Sequence, residues 1–174
     1  KQLRALLDRH SSTIRFARGL DMGCGTGLSG QAFADLIEHF TGIDLSECML
    51  NQARGKKVYD EVVQSDILSF LQETKEMYDF FLAADVFVYL GDLQPVFKLV
   101  RQKAHPGAYF IFSSENCGEE FTLQESGRYA HAEGYIKKIA EQCGFDFVCC
   151  QSARLRKDKG EWIKGKLYLL RVGF

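Results

Sequence analysis

The sequence predicts an α/β fold: a three-layer, mostly parallel open sheet of about seven strands, with the last strand antiparallel. Three observations carry this. The apolar run Phe16 to Met22 ends in alternating glycines, Gly23, Gly25 and Gly27, and then passes into residues spaced for a helix. Strand-like and helix-like segments alternate five times, as they do when helices cover both faces of a parallel sheet. The chain then closes on two strand-like runs joined by a turn signal, which forces one antiparallel strand.

Composition narrows the class. The 174 residues are 46% hydrophobic and 26% charged, enough for a real core. Basic and acidic residues nearly cancel, 22 against 23, so there is no electrostatic footprint for nucleic acid. No apolar run approaches the roughly 20 residues that span a bilayer. The segment from Lys1 to Arg18 is too charged for a secretory signal. The six cysteines show no C-x-x-C spacing and read as reduced thiols. The expected location is cytoplasmic, with neither membrane nor nucleic acid as partner.

Taken in order, Lys1 to His10 reads as a helix with Leu3, Leu6, Leu7 and His10 on one stripe. It opens without a cap signal, so the native chain is expected to extend upstream. After the first strand and its glycine loop, Leu28, Ala32, Phe33, Leu36, Ile37 and Phe40 predict a helix ending near His39. Phe40 to Asp44 is the second strand. Ser46 then caps a helix whose Met49, Leu50 and Ala53 are expected to face inward. Glu61 to Gln64 is the third strand, followed by a short helix from Ile67 to Glu73. Tyr78 to Ala84 is nearly all apolar, as a central strand buried on both faces requires. Leu93 to Lys103 is a helix with Pro95 in its first turn. His105-Pro106-Gly107 is a turn, and Ala108 to Ser113 the fifth strand.

Ser114 to Arg128 is polar and irregular and follows a strand's carboxyl end, the position of a functional lid. Tyr129-Ala130-His131 leads into a helix from Ala132 to Cys143 that Gly144 closes. The sixth and seventh strands are Phe145 to Leu155 and Lys164 to Val172, with Lys157-Asp158-Lys159-Gly160 as the turn between them.

The glycine loop admits two registers. Gly25-x-Gly27-x-x-Gly30 fits the dinucleotide pattern. Gly23-x-Gly25-x-Gly27 preceded by Asp21 fits a ligand without a pyrophosphate, because a carboxylate at the strand end repels phosphate and suits a cation. Asp44 lies 44 − 23 = 21 residues beyond the first glycine, the spacing of an acid that accepts bonds from ribose hydroxyls. A second reading makes Asp44 a helix-capping acid. Asp66, just past the third strand, likewise either binds a ligand or caps the next helix.

Asp21-x-Gly23-x-Gly25-x-Gly27 at a strand end resembles the cofactor loop of class I S-adenosylmethionine (SAM)-dependent methyltransferases. That resemblance implies a Rossmann-like sheet of seven strands with the last inserted beside the sixth, SAM as cofactor and S-adenosylhomocysteine (SAH) as product. It implies that Asp66 binds the adenine amine with Ile67 against the ring. The expected cofactor set is Asp21, Gly23, Gly25, Asp44, Leu45, Met49, Asp66, Ile67, Ala84 and Asp85. Tyr89, lining the pocket, and His131, as a general base, are the catalytic candidates, each with a purely structural alternative. No metal-ligand spacing is visible among the histidines.

The segments Ala83 to Leu93 and Gly127 to His131 look like the bacterial methyltransferase domain often fused behind tetratricopeptide repeats, so such a region upstream is an expected partner. The fourth strand lacks the Asn-Pro-Pro-Tyr segment of enzymes that methylate nucleic-acid bases. The implied function is methyl transfer to a small-molecule or protein acceptor. The alternatives are a SAM-binding domain without catalysis, in regulation or assembly, and a dinucleotide-dependent oxidoreductase.

Overall fold

The computed structural model describes residues 1–11, 15–158 and 160–173. After helix α1 (Gln2–His10) come β1 (Phe16–Met22), α2 (Leu28–Gln31), β2 (Ile37–Asp44), α3 (Glu47–Lys56), β3 (Glu61–Gln64), α4 (Ile67–Glu73), β4 (Tyr78–Ala83), α5 (Gln94–Gln102), β5 (Ala104–Glu115), β6 (Phe121–Leu123), β7 (Tyr129–His131), α6 (Glu133–Gln142), β8 (Phe145–Asp158) and β9 (Glu161–Val172). Seven strands form one sheet in the order β3-β2-β1-β4-β5-β9-β8. Strand β9 is antiparallel to both of its neighbours, and the other pairs are parallel. The predicted architecture is therefore the observed one.

Alternation along the strands sends side chains to two cores, one on each face of the sheet. Phe81, Phe110, Phe112, Tyr168 and Leu170 meet α4, α5 and α6. Phe80, Leu82, Tyr109, Ile111, Leu167 and Leu169 meet Leu3, Leu6 and Leu7 of α1 and Phe33 and Leu36. His10, predicted on the α1 stripe, is exposed instead.

Three expectations need correcting. The helix predicted to run to His39 stops after one turn, at Gln31. A 3-10 turn (Ala34–Leu36) follows, and β2 already begins at Ile37. The Leu36, Ile37 and Phe40 spacing suits a strand as well as a helix, and pairing with β1 from Phe16↔Ile37 onward decides for the strand. His105-Pro106-Gly107 does not break the chain. It is a bulge inside β5, with Gly107 at φ +79°, where the register against β4 shifts. The expected irregular loop at Ser114 to Arg128 is partly regular: β5 runs on to Glu115, and β6 pairs antiparallel with β7. Tyr129 to His131 is thus a strand, not a lead-in to α6. The predicted Lys157–Gly160 turn includes residue 159, which lies outside the described residues.

Candidate active site

Every residue singled out in the sequence except His131 sits in the glycine loop or at or just beyond the carboxyl ends of β1, β2, β3 and β4, the edge where open α/β sheets bind ligands. The loop after β1 is anchored from β2. Gly23 and Cys24 both donate their N–H groups to the Ile43 carbonyl at 2.8 Å. Gly23 and Gly25 lie at φ +74° and +53°, a region that disfavours a side chain. Their reasons differ. A Cβ on Gly23 would fall 2.4 Å from Val86 Cγ2, so packing alone demands glycine there. A Cβ on Gly25 would enter open space, with Met49 Sδ the nearest atom at 3.8 Å.

Asp44 ties this loop to the next helix. Its Oδ2 accepts the Gly25 N–H and its Oδ1 accepts the Ser46 N–H, both at 2.9 Å. Each carboxylate oxygen keeps further lone-pair capacity for a ligand donor. Just beyond it in the chain, Leu45 and Met49 expose apolar surface at 69% and 45%. This corrects the expectation that Met49 faces inward; Leu50 and Ala53 alone of that trio are buried. Asp66 caps α4, accepting the Ser69 N–H at 2.9 Å through Oδ1, and hydrogen bonding to Ser69 holds its carboxyl below the ordinary range. Ile67 is half-buried against the core.

Asp21 is fully buried. Its Oδ2 accepts two hydroxyl bonds, from Tyr59 at 2.6 Å and Ser29 at 2.8 Å, while Oδ1 has no partner. Burial, opposed by those two hydroxyls, pushes its pKa up to about 6.

At the end of β4, Asp85 occupies the left-handed region at φ +56°, uncommon for a residue with a side chain. Its N–H donates to Ser113 Oγ at 2.9 Å, and its carboxylate accepts Arg156 Nη1 at 2.6 Å. The other end of that guanidinium binds the buried Glu115. Asp85, Ala84, Ser113 and Ser29 line a cleft of about 290 Å³ whose apolar wall includes Phe33, Leu155 and Leu167. Tyr89 stands 66% exposed just beyond β4.

His131 is placed differently. It is fully buried. Nε2 faces the carbonyls of Leu90 and Gly91 at 3.0 and 2.8 Å, and so carries the proton; Nδ1 meets Ser114 Oγ at 2.8 Å. Burial lowers its pKa, so the ring is neutral at pH 7.

Sequence reading did not find Tyr59, Ser29, Arg156 or Glu115. Tyr59 and Arg156 reach their carboxylates across 38 and 71 residues, and no local spacing marks them. The only trace is indirect: Gly30 and Gly42 are glycines because the Tyr59 ring occupies their side-chain space.

The residues present fit SAM: an unpartnered buried anionic oxygen for a cation, an open cradle at Gly25, and exposed apolar shelves around Asp44. Comparison with known proteins bears on the family, the fold and the cofactor. The profile of the methyltransferase-domain family matches residues 20–112. A ubiquinone biosynthesis O-methyltransferase from Acinetobacter baylyi is 26% identical over 115 residues, covering 63% of this chain and 48% of that protein. Nodulation protein S from Rhizobium tropici is 29% identical over 132 residues, covering 72% and 53% respectively. The chain spans about half the length of these relatives. The crystal structure of the N-methyltransferase NodS from Bradyrhizobium japonicum in complex with SAH superposes with a TM-score of 0.78 at 23% identity, covering 98% of this chain and 85% of that one. TehB from Haemophilus influenzae also reaches 0.78, at 19% identity, covering 98% and 61%.

Proposed function

The chain belongs to the methyltransferase-domain family of class I SAM-dependent enzymes, and from that membership we propose that residues 1–174 form one domain that methylates a small-molecule or protein acceptor. The observation that carries this reading is the buried Asp21 carboxylate, with no hydrogen-bond partner on Oδ1 among the described residues, at the strand end where a pyrophosphate would otherwise lie. SAM, when bound, supplies a methyl group already activated on a sulfonium. The protein is left to bind, align and exclude water.

Asp21 favours the positive end of the cofactor. Asp44, already fixed by Gly25 and Ser46, offers its remaining lone pairs to the ribose hydroxyls. Asp66 keeps Oδ2 for the adenine amine while Oδ1 caps α4. Leu45, Met49 and Ile67 supply apolar contact. The cleft between Ser29 and Asp85 takes the acceptor, with Ala84 in its wall, and Tyr89, exposed beyond β4, is the candidate for contact with the acceptor. His131 acts by position, holding the Leu90–Gly91 turn and Ser114. The hairpin β6–β7 is the cover over this edge. The O- and N-methyltransferase names of the relatives both fit such a cleft and leave the acceptor atom open. A tetratricopeptide-repeat region upstream and a cytoplasmic setting complete the proposal. Among the described residues no helix is long and apolar enough to cross a membrane.

Calorimetric titration with SAH and with NAD tests the cofactor, and a radiolabelled methyl-transfer screen against extract fractions tests turnover. Saturable SAH binding without NAD binding, together with label transfer, is expected. NAD binding tighter than SAH would overturn the reading in favour of the dinucleotide register. SAH binding without label transfer to any fraction would favour the non-catalytic domain.

A further inference from the structure

Tyr59 lies between α3 and β3, outside every motif of the glycine loop. Its ring is threaded among glycines from three segments. A Cβ on Gly30 would fall 2.3 Å from its hydroxyl oxygen, one on Gly42 3.1 Å from the ring, and one on Gly27 3.3 Å from the ring. Phe40 packs against it at 4.9 Å between centroids. The ring is therefore held by packing, and its hydroxyl arrives at Asp21 already aimed. That hydroxyl and Ser29 Oγ both donate to Oδ2 and leave Oδ1 bare in the interior. A buried acceptor without a partner costs stability, and its persistence calls for a ligand or a function.

We propose that Tyr59 is a positioning residue for the cofactor: its hydroxyl holds Oδ2 and orients the Asp21 carboxylate, so that Oδ1 remains the oxygen offered to the cationic end of SAM. This rests on the cofactor reading above. It also gives the third glycine of the apparent dinucleotide pattern another purpose, since Gly30 makes room for the Tyr59 hydroxyl.

The groups acting on Asp21 from the elements around it are Tyr59, Ser29 on α2, the Asp44 carboxylate on β2 and the Cys24 thiol, itself pushed up to about 12 by burial and by the two acids. No basic side chain is among them. Burial and Asp44 favour the protonated acid, and the two hydroxyls oppose them. Losing the Tyr59 hydroxyl therefore moves Asp21 further toward neutrality.

The test is Tyr59→Phe, which keeps the ring among its glycines and removes one oxygen. SAH, which retains the cofactor's ammonium, is titrated into the parent protein, Tyr59→Phe, Asp21→Asn and the double variant from about pH 5 to about pH 8.5, a window that brackets the raised Asp21 pKa. In the parent protein affinity falls as pH drops through that pKa. In Tyr59→Phe the midpoint should move up by about 0.7 pH unit, the equivalent of one hydrogen bond of ordinary net strength, so that binding weakens by roughly 1.4-fold at about pH 7 and by roughly fourfold at about pH 5.5. Asp21→Asn should lose this pH dependence, and the double variant should bind no worse than Asp21→Asn. A purely structural Tyr59 would weaken binding without moving the midpoint, and that outcome overturns the proposal, as does full additivity in the double variant. Unfolding of the ligand-free proteins across the same pH range reads the Tyr59–Asp21 coupling separately. If the parent protein fails to bind SAH, the cofactor reading falls. If SAH binds and the midpoints coincide, only the role of Tyr59 falls.

Discussion

A single carboxylate shows how function is set against stability here. Native Asp21 holds its proton more tightly than the unfolded chain does, about 6 against 3.8. The stability tied to this group is therefore greatest below about pH 4 and is lost as pH rises from about 4 to about 6. At pH 8 the buried charge costs up to about 3 kcal/mol. Asp21→Asn keeps the shape and removes the charge. Without ligand it should be more stable than the parent protein at pH 8 and lose that advantage by pH 4, while binding SAH more weakly at pH 8. Denaturant unfolding at the two pH values checks this. A variant destabilised more at pH 8 than at pH 4 would mean that the charge stabilises the fold, and an equal change at both would mean that the charge has no effect on stability. The sequence exposed Asp21, Asp44 and the glycines because their spacing is local. It hid Tyr59 and Arg156 because only the folded sheet brings them to Asp21 and Asp85.

At the scale of elements, α2 is the shortest helix, and its composition explains why it stops. Ser29 and Gly30 are poor helix formers, and Gly30 cannot grow a side chain without displacing Tyr59. Gly30→Ala should therefore destabilise the protein by roughly 1–3 kcal/mol, the usual cost of overpacking, although alanine is the better helix former by about 1 kcal/mol. It should also weaken SAH binding by pushing the Tyr59 hydroxyl off Asp21. Thermal melts and titration read the two effects. A stabilised Gly30→Ala would mean that the Tyr59 ring moves aside freely. The same element was the least legible in the sequence. Leu36, Ile37 and Phe40 satisfy a helical and an extended pattern alike, and only β1 alongside them selects the strand. The β6–β7 hairpin was hidden for a related reason: its three-residue strands are too short to show a period among polar neighbours.

Across the whole molecule, the two cores grip the sheet on both faces and leave its carboxyl edge as the place where groups await a partner: the buried Asp21 Oδ1, the open space at Gly25, and the exposed Leu45 and Met49. The alternation of strands and helices was legible because strands such as Tyr78–Ala83 carry their own apolar runs, whereas the order in which the strands lie side by side is set by long-range pairing. The reach of the terminal hairpin was not legible either: β8 extends to Asp158, and its Arg156 joins the far end of the chain to Asp85 and Glu115. The loops after β1, β2 and β4 lie at one edge, and Arg156 near the end of β8 ties the terminal hairpin to it, so a ligand bound there opposes unfolding of the sheet as a unit. Ligand present at 100 times its dissociation constant stabilises by about 2.7 kcal/mol if only the native state binds it. For a chain of 174 residues, that corresponds to a rise in melting temperature of roughly 5–10 °C. SAH at saturation should produce this rise in a single cooperative transition, and NAD at the same concentration should produce none. A transition that splits, with only one part responding to SAH, would show that the carboxyl edge melts apart from the rest of the sheet and that the terminal hairpin is not coupled to the cofactor loop.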